Sequence, residues 1–184
     1  MTDYRRVYVP GGTCFFTVNA AWRRNTTLLT DHIDALRDAF REVRRRHPFV
    51  IDAMVVLPEH LHCIWRLPEG DTDFSRRWRL IKARFSRSIA PIETRTYSRA
   101  QRGERGIWQR RFWERCIRDE RDWARHVDYI HYNPVKHGWV RAVADWPYSS
   151  FHRFVRAGVY PADWGGVPEM EDWPLGERDW RFRD

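Results

Sequence analysis

Cysteine is scarce in this chain. Cys14, Cys63 and Cys116 are its only three thiols in 184 residues, too few and too scattered for a disulfide framework or a zinc cluster. That scarcity points to a reducing interior. No run of about 18 apolar residues occurs, which argues against a membrane-spanning helix. Residues 1–10 lack the apolar core of a secretory signal. A cytoplasmic protein with no membrane partner is therefore expected. No internal repeat is present, and lysine is rare beside arginine.

What is abundant is positive charge and aromatic surface. Lys and Arg total 33 against 25 Asp and Glu, for a formal net charge of +8, and 15% of the residues are aromatic, with 11 Trp. Arginine's planar, always-charged fork suits phosphate oxygens and base stacking. Basic and aromatic side chains interleaved are what a groove for unpaired nucleic acid requires, because cations track the backbone and rings stack on bases. A Trp-rich core under a solvated charged surface has the same composition, and composition alone does not separate the two. The length suits one compact domain with a short tail.

Aromatic and β-branched residues at 13–19 follow the Gly11-Gly12 turn and predict a strand. Ile33, Leu36, Phe40 and Val43 recur at helical spacing and predict a helix over 31–46, ended by His47-Pro48. Two apolar runs, 49–57 and 60–67, flank Pro58-Glu59 and read as paired strands, and Pro68-Glu69-Gly70-Asp71 reads as a turn. A second helix is expected over 73–89, with Phe74, Trp78, Ile81, Phe85 and Ile89 as its buried stripe and Asp71, Thr72 or Asp73 as its cap. Residues 91–106 read as a loop and 107–117 as a short extended segment. A third helix is expected over 119–132, closed by Asn133-Pro134 because proline disfavours a helical conformation before it. A short helix near 149–156 completes the order. This is α+β: a ferredoxin-like antiparallel sheet with helices packed on it, most economically on one face. The expected division is a domain over 1–164 and a C-terminal extension over 165–184 that drapes over it or is loosely ordered.

Two constellations carry chemistry. In His60-Leu61-His62 the side chains alternate across a strand, so the two imidazoles share a face while Leu61 and Cys63 point the other way. Such a pair can ligate one divalent ion, or simply be exposed or hydrogen-bonded. On the third helix, Asp122, His126, Tyr129 and Asn133 fall on one face, and Trp123, Val127 and Ile130 form a separate apolar stripe. A helical tyrosine is commonly packing alone. Here an amide one turn beyond it, Asn133, could complete a metal shell with two histidines. Glu59 is either a surface acid at a strand end or a support for the adjacent histidine.

The combined order of Pro58-Glu59-His60-Leu61-His62 and Tyr129-Ile130-His131-Tyr132-Asn133-Pro134-Val135-Lys136-His137-Gly138 strongly resembles the REP-associated tyrosine transposases, relatives of the single-tyrosine HUH transposases. The likeness extends through Tyr4-Arg5-Arg6, Gly11-Gly12-Thr13, Pro68-Glu69-Gly70-Asp71, Arg111-Phe112-Trp113-Glu114 and Asp145-Trp146-Pro147, covering about residues 4–165. It implies a ferredoxin-like catalytic domain that recognises palindromic hairpins and cuts single-stranded DNA beside them. By motif, Tyr129 matches the nucleophile, and His60, His62 and Asn133 match the ligands of Mg²⁺ or Mn²⁺. Many single-tyrosine relatives carry Gln where this chain has Asn133. Tyr4, Arg5, Arg6, Gly11 and Gly12 match a region that reads a tetranucleotide beside the hairpin. Cleavage would leave a 5′-phosphotyrosine and a free 3′-hydroxyl able to reseal the strand.

The residues themselves leave some choices open. Tyr132 competes with Tyr129 as nucleophile, and His126 and His131 are local candidates for its base. Arg76, Arg77, Arg79 and Lys82, together with the cluster from Arg95 to Arg111 that includes Arg110 and Arg111, form an expected DNA track, with Trp108 and Trp113 as aromatic neighbours and Trp78 as core. A solvated arginine face is the alternative. A hairpin-binding protein without cutting, a water-activating metal hydrolase and a replication initiator or relaxase are the rival functions. A monomer is expected, with a dimer left open.

Overall fold

Seven residues rich in aromatic and β-branched side chains, Thr13–Asn19, form β1 at the centre of a four-stranded antiparallel sheet. The computed structural model describes residues 9–21, 26–91, 97, 101, 103 and 105–166. Tyr4, Arg5 and Arg6 lie outside this set, as does the expected extension beyond residue 166. A single turn, α1 (Leu28–Asp31), precedes α2 (Ile33–Arg46), so the first expected helix is split at His32. β2 (Val50–Val56) and β3 (His60–Arg66) form the expected hairpin, with a bulge between Ile51 and Ala53. Then come α3 (Phe74–Ser88), β4 (Trp113–Cys116), α4 (Glu120–Lys136), a 3₁₀ turn (Val143–Asp145) and α5 (Phe151–Arg156). The strand order β2-β3-β1-β4 is that of the ferredoxin-like fold. No helix of the described residues is long and apolar enough to cross a membrane.

Strand alternation divides the core in two. Cys14, Phe16 and Val18 of β1 join Leu61, Cys63 and Trp65 of β3 beneath Leu36, Phe40 and Val43 of α2 and Trp78, Ile81 and Phe85 of α3. Cys63 is thus a core residue on the far face from the histidines, as its strand position predicts. Phe15, Val55 and Ile64 face the other way, against Val127, Tyr129 and Ile130 of α4 and Phe154 of α5. Helices therefore cover both faces, not one. The reason is that both strands are buried on both sides, one side apolar and the other carrying Phe15 and Ile64 with the buried polar residues Thr17, Asn19, His60 and His62, and a sheet buried on both sides needs two helical layers.

The stop expected at Asn133-Pro134 does not occur. α4 runs through Pro134 to Lys136 and ends where His137 N–H reaches Asn133 O (3.0 Å) and Gly138 takes a φ of +72°. Proline there removes only one intrahelical donor, and burial of both Asn133 and Pro134 against the sheet outweighs the local preference. Asp73 caps α3 by accepting from Arg76 N–H (2.9 Å), and Asp119 caps α4 by accepting from Asp122 N–H (2.7 Å).

The outer strand β2 is covered rather than open. Val56 N–H donates to Tyr148 O (2.9 Å), Ser150 N–H to Met54 O (2.8 Å), and the Trp146 indole to Val56 O (3.0 Å). The Asp145-Trp146-Pro147 stretch thus begins a strap that satisfies an edge otherwise available to another chain.

A candidate metal and tyrosine centre

β3 and β1 set the site. His60 and His62 project from the α4 face of β3, both fully buried, and their Nε2 atoms stand 3.1 Å apart. His60 Nδ1 lies 3.0 Å from Glu59 Oε1, and His62 Nδ1 lies 2.9 Å from Thr17 Oγ1 across the β1–β3 pair. A carboxylate only accepts, so His60 donates from Nδ1 and its Nε2 presents a lone pair. Of the two readings of Glu59, support for the adjacent histidine matches this contact. Thr17 Oγ1 can accept from His62 Nδ1 or donate to it. In the first case both Nε2 atoms present lone pairs 3.1 Å apart, which a cation between them would satisfy; in the second His62 Nε2–H donates to His60 Nε2. Adjacent nitrogen ligands on an octahedral ion stand about 3.0–3.1 Å apart. The imidazole pair therefore fits a divalent cation.

α4 supplies the opposing wall. The Tyr129 ring lies 5.3 Å from the His62 ring, and the His137 ring lies 5.3 Å from the His60 ring. Asn133 is fully buried one turn from each, on the stripe that joins them. Among the described residues no group of three His, Cys, Asp or Glu side chains is placed to hold an ion. The Asn133 amide lies on the same stripe of α4 as Tyr129 and His137. Phe15 forms the floor: its ring stacks on His62 (5.5 Å) and meets His126 (4.9 Å) and Tyr129 (6.2 Å).

Tyr129 is almost buried, and its hydroxyl is 3.1 Å from Lys136 Nζ, which also sits 4.6 Å from the ring centroid. Neither candidate base has that position. His126 donates from Nδ1 to Asp122 O (2.7 Å), with its pKa held down by burial. His131 faces away from the histidine pair, bonded to Ser150 Oγ (2.9 Å) and packed on Phe154 (4.9 Å), and burial pushes its pKa down to about 3. Local spacing does not single out Lys136, which meets Tyr129 two turns later across a proline that by itself reads as a stop. Lys82 and Lys136 are the only lysines in the chain.

The expected DNA track divides. Arg79 and Lys82 line a cleft of about 680 Å³ with Arg87, Arg105, Arg110 and Trp108, and the buried Trp78 forms part of its wall. Arg76 and Arg111 are exposed beside it. Arg77 does not belong to the track. It is 4% exposed, paired with Asp71 (2.6 Å), and donates to His47 O, Pro48 O and Asp73 O. It ties α3 to the α2–β2 turn, and arginine's five donors explain its choice there. Asp71 is held below its usual carboxylate pKa chiefly by that bond. Gly11 and Gly12 have a structural reason of their own. Gly11 has a φ of +66°, and a Cβ on Gly12 would lie 2.8 Å from Val9 O. Their turn closes on the 68–71 turn through Gly11 N–H to Asp71 O (2.9 Å), at the end of β1 remote from His60.

Comparison with known proteins supplies the family and supports the fold. No protein-family model matches the chain. It is 53% identical over 178 residues to the REP-associated tyrosine transposase of Escherichia coli (strain K12), covering 97% of this chain and 98% of that protein. This chain belongs to the REP-associated tyrosine transposases. A Haemophilus influenzae protein carrying the same family designation is 47% identical over 173 residues, covering 93% of this chain and 97% of that one. A solved REP-associated tyrosine transposase bound to a REP hairpin superposes with a TM-score of 0.82 at 52% identity, covering 97% of this chain and 98% of that one. The tyrosine of the family's name has, in this transposase, two candidates on α4. Tyr129 is the one whose ring meets a histidine of the pair.

Proposed function

We propose that this transposase cuts and rejoins single-stranded DNA beside palindromic hairpins of the REP type, through a 5′-phosphotyrosine on Tyr129. The carrying observation is the convergence of Tyr129, His60 and His62 on one buried wall, with Lys136 against the phenol oxygen. Hairpin DNA as partner is supported by the solved relative, which is bound to a REP hairpin. His60, His62 and Asn133 would hold Mg²⁺ or Mn²⁺. When bound, the ion supplies Lewis-acid charge to the scissile phosphate and a template for its alignment.

The chain's own residues do the rest. Tyr129 Oη attacks phosphorus, the bond to the 3′-oxygen breaks, the phenol gives up a proton and the 3′-oxygen gains one. The Lys136 ammonium stabilises negative charge on Oη and on the phosphoryl oxygens beside it. The phosphodiester energy is kept in the tyrosyl link, so a 3′-hydroxyl can attack it and reseal a strand. DNA enters from the C-terminal end of α4, where Lys136 and His137 are exposed. The cleft cations Arg79, Lys82 and Arg110, with Arg76 and Arg111 beside them, track the backbone by counterion release. Residues 4–6, together with Gly11 and Gly12, are assigned to tetranucleotide reading on motif alone.

The test is incubation with labelled hairpin oligonucleotides from repeats flanking the gene, with Mn²⁺, followed by denaturing electrophoresis. A shifted protein–DNA band is expected in the wild type and in Tyr132→Phe, and none in Tyr129→Phe. Cut DNA with no adduct would assign a hydrolase. Binding without cutting would assign a hairpin-binding module.

A further inference from the structure

We infer that Asn19 is a further donor to the cation held by His60 and His62, an inference that rests on the metal reading above. β1 and β3 pair Thr17 with His62 and Asn19 with His60. Ala20 N–H donates to Glu59 O (2.8 Å), so Asn19 and His60 form a non-hydrogen-bonded pair, the kind in which facing side chains approach most closely. Thr17 and His62 stand two residues along in the same kind of pair, and there the side chains touch at 2.9 Å. Alternation from Phe15 through Thr17 puts Asn19 on the α4 face with the imidazoles.

The Asn19 side chain is 6% exposed, and its Oδ1 is buried with no hydrogen-bond partner among the described residues. Buried amide oxygens are normally satisfied, and an acceptor left without a donor beside a cation-binding pair is explained by the cation. The backbone there is fixed on both sides, with Asn19 O accepting from Gln109 N–H (3.0 Å). The group is therefore pre-positioned rather than swinging in. A neutral amide oxygen suits Mg²⁺ or Mn²⁺ and adds no charge beside the phosphate. Asn19 and Asn133 then bracket the imidazole pair, one from the neighbouring strand and one from the covering helix.

The experiment is Mn²⁺ titration of the full chain by calorimetry and by the EPR signal of free Mn²⁺, with metal-free melting curves beside it. Asn19→Leu is expected to weaken Mn²⁺ binding by about tenfold or more while leaving the metal-free melting temperature unchanged or higher, because the partnerless acceptor is gone. Asn19→Asp, close in shape, is expected to bind Mn²⁺ at least as tightly as the wild type, and it carries the test if the leucine variant does not fold. Wild-type affinity in Asn19→Leu, or weakened binding in Asn19→Asp, overturns the assignment. His60→Ala separates the two levels. If it loses Mn²⁺ and Asn19→Leu does not, only the Asn19 role fails. If it binds Mn²⁺ as the wild type does, the metal reading fails and takes this inference with it.

Discussion

Removing the Glu59 carboxylate should loosen the metal without disturbing the fold. His60 is fully buried, the Glu59 side chain is 14% exposed, and Oε1 lies 3.0 Å from His60 Nδ1. That contact fixes the tautomer in which Nε2 carries the lone pair that the proposed ligand role needs. A hydrogen bond to a charged group contributes about 1.5–3 kcal/mol net, and partial exposure places this one towards the lower part of that range. At about 1.4 kcal/mol per tenfold, Glu59→Ala should weaken Mn²⁺ binding by about 10- to 100-fold. Glu59→Gln keeps an acceptor but not the charge and should fall between the two. Calorimetric titration of the three proteins reads this directly, with melting curves to confirm that each is folded. Unchanged affinity in Glu59→Ala would refute the argument that the carboxylate orients the ring.

Three further outcomes test other parts of the account. Arg77→Met should destabilise the protein by about 2–4 kcal/mol in urea unfolding, because it strands three carbonyls that the guanidinium now satisfies, while the salt dependence of DNA binding stays as in the wild type. Arg79→Ala and Arg110→Ala should each lower the slope of log affinity against log salt for single-stranded DNA by about 0.7, and unchanged slopes would remove the cleft from the DNA track. Burial pushes the His131 imidazole down to about 3 from the ordinary histidine value of about 6.5, so the unfolded chain binds more protons between these values. The stability that it contributes is present above about pH 6.5 and drains as pH falls towards 3, by at most about 1.4 kcal/mol per unit. His131→Leu should flatten that part of the pH–stability curve, and an unaltered curve would contradict the buried neutral ring.

The sequence made the site legible wherever the chemistry followed local spacing. His60 and His62 alternate along one strand, and Tyr129 and Asn133 are one helical turn apart, so their shared faces needed no tertiary information. The ferredoxin-like order followed from runs and breaks of the same local kind. What escaped depends on register between distant segments. Thr17 and Asn19 meet the histidines only through the β1–β3 pairing, 45 residues apart for Thr17 and His62. Phe15 forms the floor because a second helical layer covers the face that a one-sided sheet would leave open. Arg77 resembles its neighbours on α3 in sequence, and only the position of the α2–β2 turn makes it a buried clamp. Lys136 was hidden by local reasoning that was sound in itself, since proline does disfavour helix before it. Packing of Asn133 and Pro134 against the sheet decided otherwise.

The proposed function requires that Tyr129 become covalently attached to DNA. Wild-type protein trapped with hairpin oligonucleotide and Mn²⁺, digested with nuclease and protease and mapped by mass spectrometry, reads it at the level of one residue. A nucleotide mass is expected on Tyr129, in the peptide that begins after Arg125 and ends at Lys136. A nucleotide on Tyr132 of the same peptide, or cleaved DNA with both tyrosines unmodified, would contradict it.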